Sequence, residues 1–237
     1  APYGVKSFGG VKVAFIGMTF KGTPGVVTPT GVAGLSFKDE ADTVNALVPK
    51  LRAQGIESIV VMLHQGGFQN PPAPGVVNAS DINGCLNDLK NSDGSASDIA
   101  KVVARLDNAV DLVISAHTHA AYNCSIRTVD VTGSNAANKV MTPRATGLPN
   151  KVGRLVPVTS ASAFGRVLTD IDLQIDLHSR DIVSVLPNNL LVDRSHVAIT
   201  ANIAANPEVK NLVAAYKTAV SPLANQVVGS ITADMSN

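Results

Sequence analysis

The chain has 237 residues, 45% of them apolar, and 19 Lys and Arg against 18 Asp and Glu leave a net charge of +1. That length suits one large domain or a domain with an attachment, and the apolar content is enough to bury a core. There is no basic stripe, acidic tail or tryptophan, and the longest apolar runs, such as "IVVML", are far too short to cross a bilayer, so nothing points to a nucleic-acid polymer or a membrane span.

The opening "APYGVKSFGGVKVAFIG" reads as a loop leading into a strand over residues 11–19, a short apolar run stopped by Gly17 and of the kind buried on both faces. Residues 38–55, "KDEADTVNALVPKLRAQG", place Val44, Leu47, Val48 and Leu51 at helical spacing, with Gly55 as a C-cap and Pro49 marking a kink or a boundary. "ESIVVMLHQGG" is a second buried strand. "SASDIAKVVARLDNAV" is a second helix with Ile99, Val102, Val103 and Leu106 on one face, and "DLVISAHTH" is a third strand. The order β-α-β-α-β calls for a largely parallel sheet with right-handed crossovers. Residues 65–95 form a long loop rich in Pro, Gly and Asn, and a loop of that length in a compact domain is usually functional or stapled.

Cys85 and Cys124 are the two cysteines, and both sit among turn formers, "INGCLND" and "AYNCSIR". An even count suits one disulfide in an exported protein, with two free thiols as the alternative. A bridge would close a loop of about 40 residues and stabilise by about 4 kcal/mol in the chain-entropy model.

Beyond Cys124 the pattern changes to strands broken by a polar excursion. "VLTDIDLQIDL" alternates with Ile171, Leu173, Ile175 and Leu177 on one face, and "HSRD" turns it into "IVSVL", an antiparallel hairpin. The last element starts at Asn206 as N-cap, followed by Pro207 and Glu208, and its stripe of Val209, Leu212, Val213, Tyr216 and Val220 is expected to pack on the core. Both ends read as cuts through a longer polypeptide.

Of the five histidines, three fall at matched places: His64 ends "SIVVML", and His117 and His119 end "DLVIS". In open parallel sheets, sites collect at the carboxyl ends of strands, where loops diverge. Neutral imidazole is a ligand for zinc, manganese or iron, and a His-x-His pair can serve one ion or two adjacent ones. A lone histidine at a strand end is ordinarily a solvated polar residue; three at two matched ends favour a metal site. His178 in the hairpin turn and His196 read as surface residues. Three histidines suffice for a mononuclear zinc hydrolase. A two-metal centre also needs bridging carboxylates, and no Asp or Glu stands at a comparable strand end here. Neither a P-loop, a dinucleotide fingerprint nor a G-x-S-x-G elbow is present.

"GVKVAFIGMTFKGTP", "LVPKLRAQGIESIVVMLHQGG", "DLVISAHTHAAYNC" and "VTSASAFGRVLTDIDLQID", in that order, resemble the second half of the metallophosphoesterase (calcineurin-like) domain of exported bacterial 5′-nucleotidases, a family that also hydrolyses 2′,3′-cyclic nucleotides. The last residues resemble that family's interdomain helix and the start of its C-terminal domain. The resemblance implies two domains, residues 1–200 and 201–237. It also implies a four-layer α-β-β-α sandwich, of which this chain supplies one sheet with its helices, and two divalent ions, zinc, manganese or similar. His64 and His117 would ligate one ion and His119 the other. The substrate would be a nucleotide or another phosphate ester, and the location periplasmic or secreted. The family's Asp-x-His, bridging Asp and Gly-Asn-His-Glu/Asp motifs are absent from the sequence, as is the aromatic pair that sandwiches the base. Gln65 stands where many relatives carry a different residue. The expectation is therefore a fragment of a two-metal phosphoesterase that is inactive alone. Its bare sheet face would be covered by the missing N-terminal half or a homodimer mate. The rival readings are a non-catalytic binding or assembly module, the three-His zinc hydrolase, and a thiosulfonate-acting branch of the same family.

Overall fold

The structure, a computed structural model, describes residues 2–69, 81–130, 141–145, 147–192 and 206–230. The chain divides into two units, Ala1–Val192 and Asp193–Asn237. The expected domain boundary at residue 200, the surface histidine His196 and the terminal strand after residue 230 lie outside the described residues.

The first unit is built on a six-stranded sheet in the order β1-β2-β3-β4-β10-β5. Its members are β1 (Tyr3–Phe8), β2 (Val11–Met18), β3 (Ser58–Leu63), β4 (Leu112–Ser115), β5 (Ala121–Cys124) and β10 (Val158–Ala161). β2, β3, β4 and β10 run parallel, and β1 and β5 close the two edges antiparallel. β1 occupies residues expected to be a loop. Gly9 and Gly10, at φ +56° and +87°, make the two-residue turn that pairs β1 with β2. Positive φ at both central positions is what a tight hairpin needs, so "SFGGVK" is itself a hairpin signal.

Each central strand is apolar on both faces because both are covered. Ala14, Ile16, Ile59, Val61 and Val113 face α1 (Glu40–Arg52) and α2 (Asp98–Val103) in one core. The alternate residues Val13, Val60 and Leu112 face a second, smaller core against the hairpin of β11 (Val167–Asp176) and β12 (Asp181–Leu191), through Ile171, Leu173, Ile175, Ile182 and Val185. The hairpin covers the second face only in part: Val13, Val60 and Leu112 are buried beneath it, while Met62, farther along β3 on the same face, is 43% exposed. The hairpin alternates as read through Ile171, Leu173 and Ile175, but β11 ends at Asp176 and Leu177, expected on the same face, is exposed in the turn with His178.

α1 runs through Pro49 to Arg52, so the proline is not the boundary that was one of its two expected roles. Val44, Leu47, Val48 and Leu51 are all buried on the sheet. Each is worth about 1.5–3 kcal/mol, together more than the roughly 3 kcal/mol a helical proline costs. The Asp39 side chain caps the start by accepting from the Asp42 N–H at 3.1 Å, and Gly55, at φ +70°, ends the helix. Arg105 donates to Asp39 at 2.9 Å and holds that carboxyl at about 2, below the usual range. Shorter pairs follow: β6 (Ile126–Asp130) with β7 (Met141–Ala145), and β8 (Leu148–Pro149) with β9 (Leu155–Val156). In the second unit, α3 (Pro207–Ala224) is capped by Asn206, which accepts from the Val209 N–H at 3.1 Å.

At the amino end of the sheet, away from the histidines, Asp111 is buried and accepts from the Ile59 N–H at 2.9 Å. Burial pushes its carboxyl up to about 7, outweighing Arg154, whose Nη2 lies 3.7 Å away. The folded state thus holds a proton that the unfolded chain releases near pH 4. Unfolding free energy should therefore fall as pH rises from about 4 to 7. Asp111→Asn should remove that slope in urea titrations at several pH values; an unchanged slope would contradict the assignment.

Candidate metal centre at the carboxyl ends of β3 and β4

His64 follows the last residue of β3, and its N–H donates to Met18 O at the end of β2, 3.0 Å away. Leu63 pairs with Ser115 across β3 and β4, so the residues beyond both strand ends emerge side by side. The His64 and His117 rings lie with centroids 5.1 Å apart, edge to face at 67°. Two imidazoles bound to one tetrahedral ion at about 2.0–2.1 Å would have centroids about 5 Å apart, a separation this pair matches.

His117 and His119 both have positive φ, +72° and +59°. The Thr118 N–H donates back to Ala116 O at 2.9 Å, making a γ-turn with His117 at its centre in the strained, positive-φ form. Such strain persists only where neighbours over-determine it. Here the Ala116 N–H donates to Gln65 O at 3.2 Å and Thr118 Oγ1 donates to Gly67 O at 2.9 Å, stitching the two histidine turns together. Gly66 sits between them, where a Cβ would come within 2.2 Å of Ala116 O. Gln65 is buried, and its Oε1 accepts the Gly66 N–H at 2.9 Å, so it braces the turn from within.

Beneath the turns, Tyr122 is fully buried with its hydroxyl 2.6 Å from Ser115 Oγ, and Ser115 Oγ donates to Thr159 O at 2.7 Å. Burial raises the phenol, against hydrogen bonding from Ser115 and the Gly67 backbone. Phe20 packs on His117 with centroids 4.4 Å apart, and Phe164 meets His119 at 5.7 Å. The three histidines therefore separate into a pair, His64 with His117, and an exposed His119 turned toward Phe164. Among the described residues no group of three or more His, Cys, Asp or Glu that could hold an ion is brought together. The described donors by themselves do not make up a metal centre.

Cys85 and Cys124 form a disulfide, with Cα atoms 5.0 Å apart. It ties residues 81–89 to β5, which follows directly on His119. The supporting residues Gln65, Gly66, Thr118, Phe20 and Tyr122 are not singled out by any pattern in the sequence for the roles they take here. Only Gly66, next to a strand-end histidine, carries a signal of close backbone approach.

Helices cover one face of a mixed sheet, a hairpin lies on the other, and imidazoles stand at adjacent strand ends. The chain is similar in sequence and fold to proteins named 5′-nucleotidases. Over 233 residues, 98% of its length, it is 26% identical to endonuclease YhcR of Bacillus subtilis, of which it spans 15%. Over 229 residues, 96% of its length, it is 24% identical to snake venom 5′-nucleotidase of Naja atra, of which it spans 34%. Its fold matches the 5′-nucleotidase precursor of Thermus thermophilus with a TM-score of 0.55 at 22% identity, over 96% of this chain and 36% of that one. The chain thus spans about a third or less of these relatives. It matches no protein-family model.

Proposed function

We propose that this chain is a fragment, the second half of the metallophosphoesterase domain, of an exported, metal-dependent phosphoesterase that hydrolyses nucleotides. The observation that carries the reading is the His64–His117 pair, held 5.1 Å apart by a strained turn at adjacent strand ends. The relatives named as 5′-nucleotidases support the substrate class. The near-neutral charge, without a basic stripe, favours mononucleotides over the polymer suggested by the name of the Bacillus relative. The Cys85–Cys124 disulfide and the venom relative support export.

His64 and His117 would hold one divalent ion and His119 a second, zinc or manganese by ligand type. Such ions, when bound, neutralise phosphoryl charge and lower the pKa of water for in-line attack on phosphorus. The chain's own residues hold the imidazoles: the γ-turn aims His117, Thr118 fastens that turn to Gly67, and Phe20 limits rotation of the His117 ring. The bridging carboxylates and the transition-state histidine would come from an N-terminal half or a partner chain, leaving these 237 residues inactive alone.

Zinc added to the isotope-labelled chain should shift the His64 and His117 ring resonances together, and His117→Ala should weaken that binding at least tenfold. Rapid turnover of nitrophenyl phosphate by the chain alone would overturn its assignment as an incomplete centre. Imidazoles indifferent to zinc would overturn the metal reading itself and leave a binding module.

A further inference from the structure

The turn between β10 and β11 carries chemistry that the histidines leave unused. Ser162, Phe164 and Gly165 have φ of +61°, +60° and +62°. For a non-glycine residue that region costs about 1–3 kcal/mol and persists where surroundings enforce it. Burial does not enforce it at Phe164, which is 72% exposed. Its ring is instead placed between two functional groups. It stands edge to face with His119 at 5.7 Å between centroids, and Arg166 lays its guanidinium carbon 5.1 Å from the centre of the same ring. Ser162 Oγ donates to His119 O at 3.1 Å, so the turn is fastened to the backbone of that histidine. Arg166 is held on both sides of its own backbone, its N–H donating to Ala163 O at 3.3 Å and its O accepting from the Val192 N–H at 2.9 Å. Its side chain is exposed, and its ion-pairing edge meets no carboxylate among the described residues.

The geometry points to a phosphate-recognition site: Arg166, stacked on the Phe164 ring, binds the anionic oxygens of a phosphate monoester on the His119 side of the centre. This inference rests on the phosphoesterase reading and extends it to a residue that positions substrate without touching a metal. Guanidinium is always charged, and its planar N–H fork matches two phosphate oxygens at once. Stacking on an aromatic face leaves that fork free while restricting the side chain, so less entropy is lost on binding. Phe164 is the platform, touching the His119 imidazole and the Arg166 guanidinium in turn. The strained turn has a purpose in this arrangement, since a relaxed Phe164 would carry Arg166 elsewhere. Binding involves no bond making or breaking; the ligand is the phosphate dianion itself.

The test titrates the full labelled chain, with and without zinc, with 5′-AMP, inorganic phosphate and adenosine, following the Arg166 side-chain Nε–H. AMP and phosphate should move that resonance, and adenosine should not. Arg166→Gln should weaken AMP binding about tenfold, the loss of one charge-assisted hydrogen-bond pair. Phe164→Leu should fall between that variant and the wild type. Both positions are exposed, so the backbone spectrum should otherwise be retained, and zinc shifts at His64 and His117 should be the same in both variants. An Arg166 signal unmoved by either phosphate, or equal AMP affinity in the Gln variant, overturns the proposal whether or not zinc binds. Zinc that leaves the imidazoles unmoved sinks the phosphoesterase reading instead, so the two failures are told apart.

Discussion

Removing the Cys85–Cys124 disulfide by alanine at both positions should lower the unfolding free energy by about 4 kcal/mol, the chain-entropy value for a loop of this size. The bridge spans 39 residues of sequence. The effect should lie mainly in the unfolded state, because the folded loop is tied down several times over. Gln69 Nε2 donates to Asp81 O at 2.8 Å and to Ala121 O at 2.9 Å, and its Oε1 accepts the Leu86 N–H at 3.2 Å. The Asn123 N–H donates to Gly84 O at 2.9 Å. Asn189 Nδ2 donates to Ile82 O at 2.7 Å, and the Asn189 N–H donates to Asn83 Oδ1 at 2.8 Å, linking the loop to β12. Native-state spectra of the double variant should therefore match the wild type while the urea midpoint drops sharply. A midpoint shift worth less than about 1 kcal/mol would show that residual structure in the unfolded chain already closes this loop.

Gly66→Ala should have the largest effect on the metal centre. The added methyl would lie 2.2 Å from Ala116 O and 2.5 Å from Thr118 Oγ1. The first is backbone, so the two histidine turns must move apart. Overpacking of this kind costs about 1–3 kcal/mol. The displacement falls on the residues that aim His117, and disturbing such supports typically weakens metal binding about 10–100-fold. Calorimetric zinc titration of wild type and variant would measure this, with urea unfolding as the control for global stability. Wild-type zinc affinity in a destabilised variant would mean that the turns are not what aligns the imidazoles.

Much of the architecture is legible in the residues. The apolar runs at 11–18, 58–63 and 112–115 are strands because both faces are buried, and the 3.6-residue spacing of Val44, Leu47, Val48 and Leu51 marks α1. Three features read differently in the structure. The N-terminal strand is hidden behind "GG", a turn signal that acquires meaning only when Tyr3–Phe8 finds β2 as a partner. Pro49 is overridden by packing, because four buried neighbours outweigh one lost hydrogen bond. Part of the second sheet face is covered because β11 and β12 fold back over it, a long-range placement that no local pattern encodes.

The sequence by itself determined the composition of the site: three histidines at two strand ends, no carboxylate beside them, and two cysteines in turns. Periodicity and turn chemistry are local properties, and they suffice to put those residues at the ends of neighbouring strands. The tertiary structure decided the geometry. It paired His64 with His117 and turned His119 toward Phe164, and it set Gly66 where only a hydrogen atom fits. It also brought Phe164, more than forty residues from His119, to that histidine's side, with Arg166 over the Phe164 ring. The reason is physical: ring orientation, backbone strain and close approach are properties of two segments in contact, and those contacts exist only once the sheet has set its register.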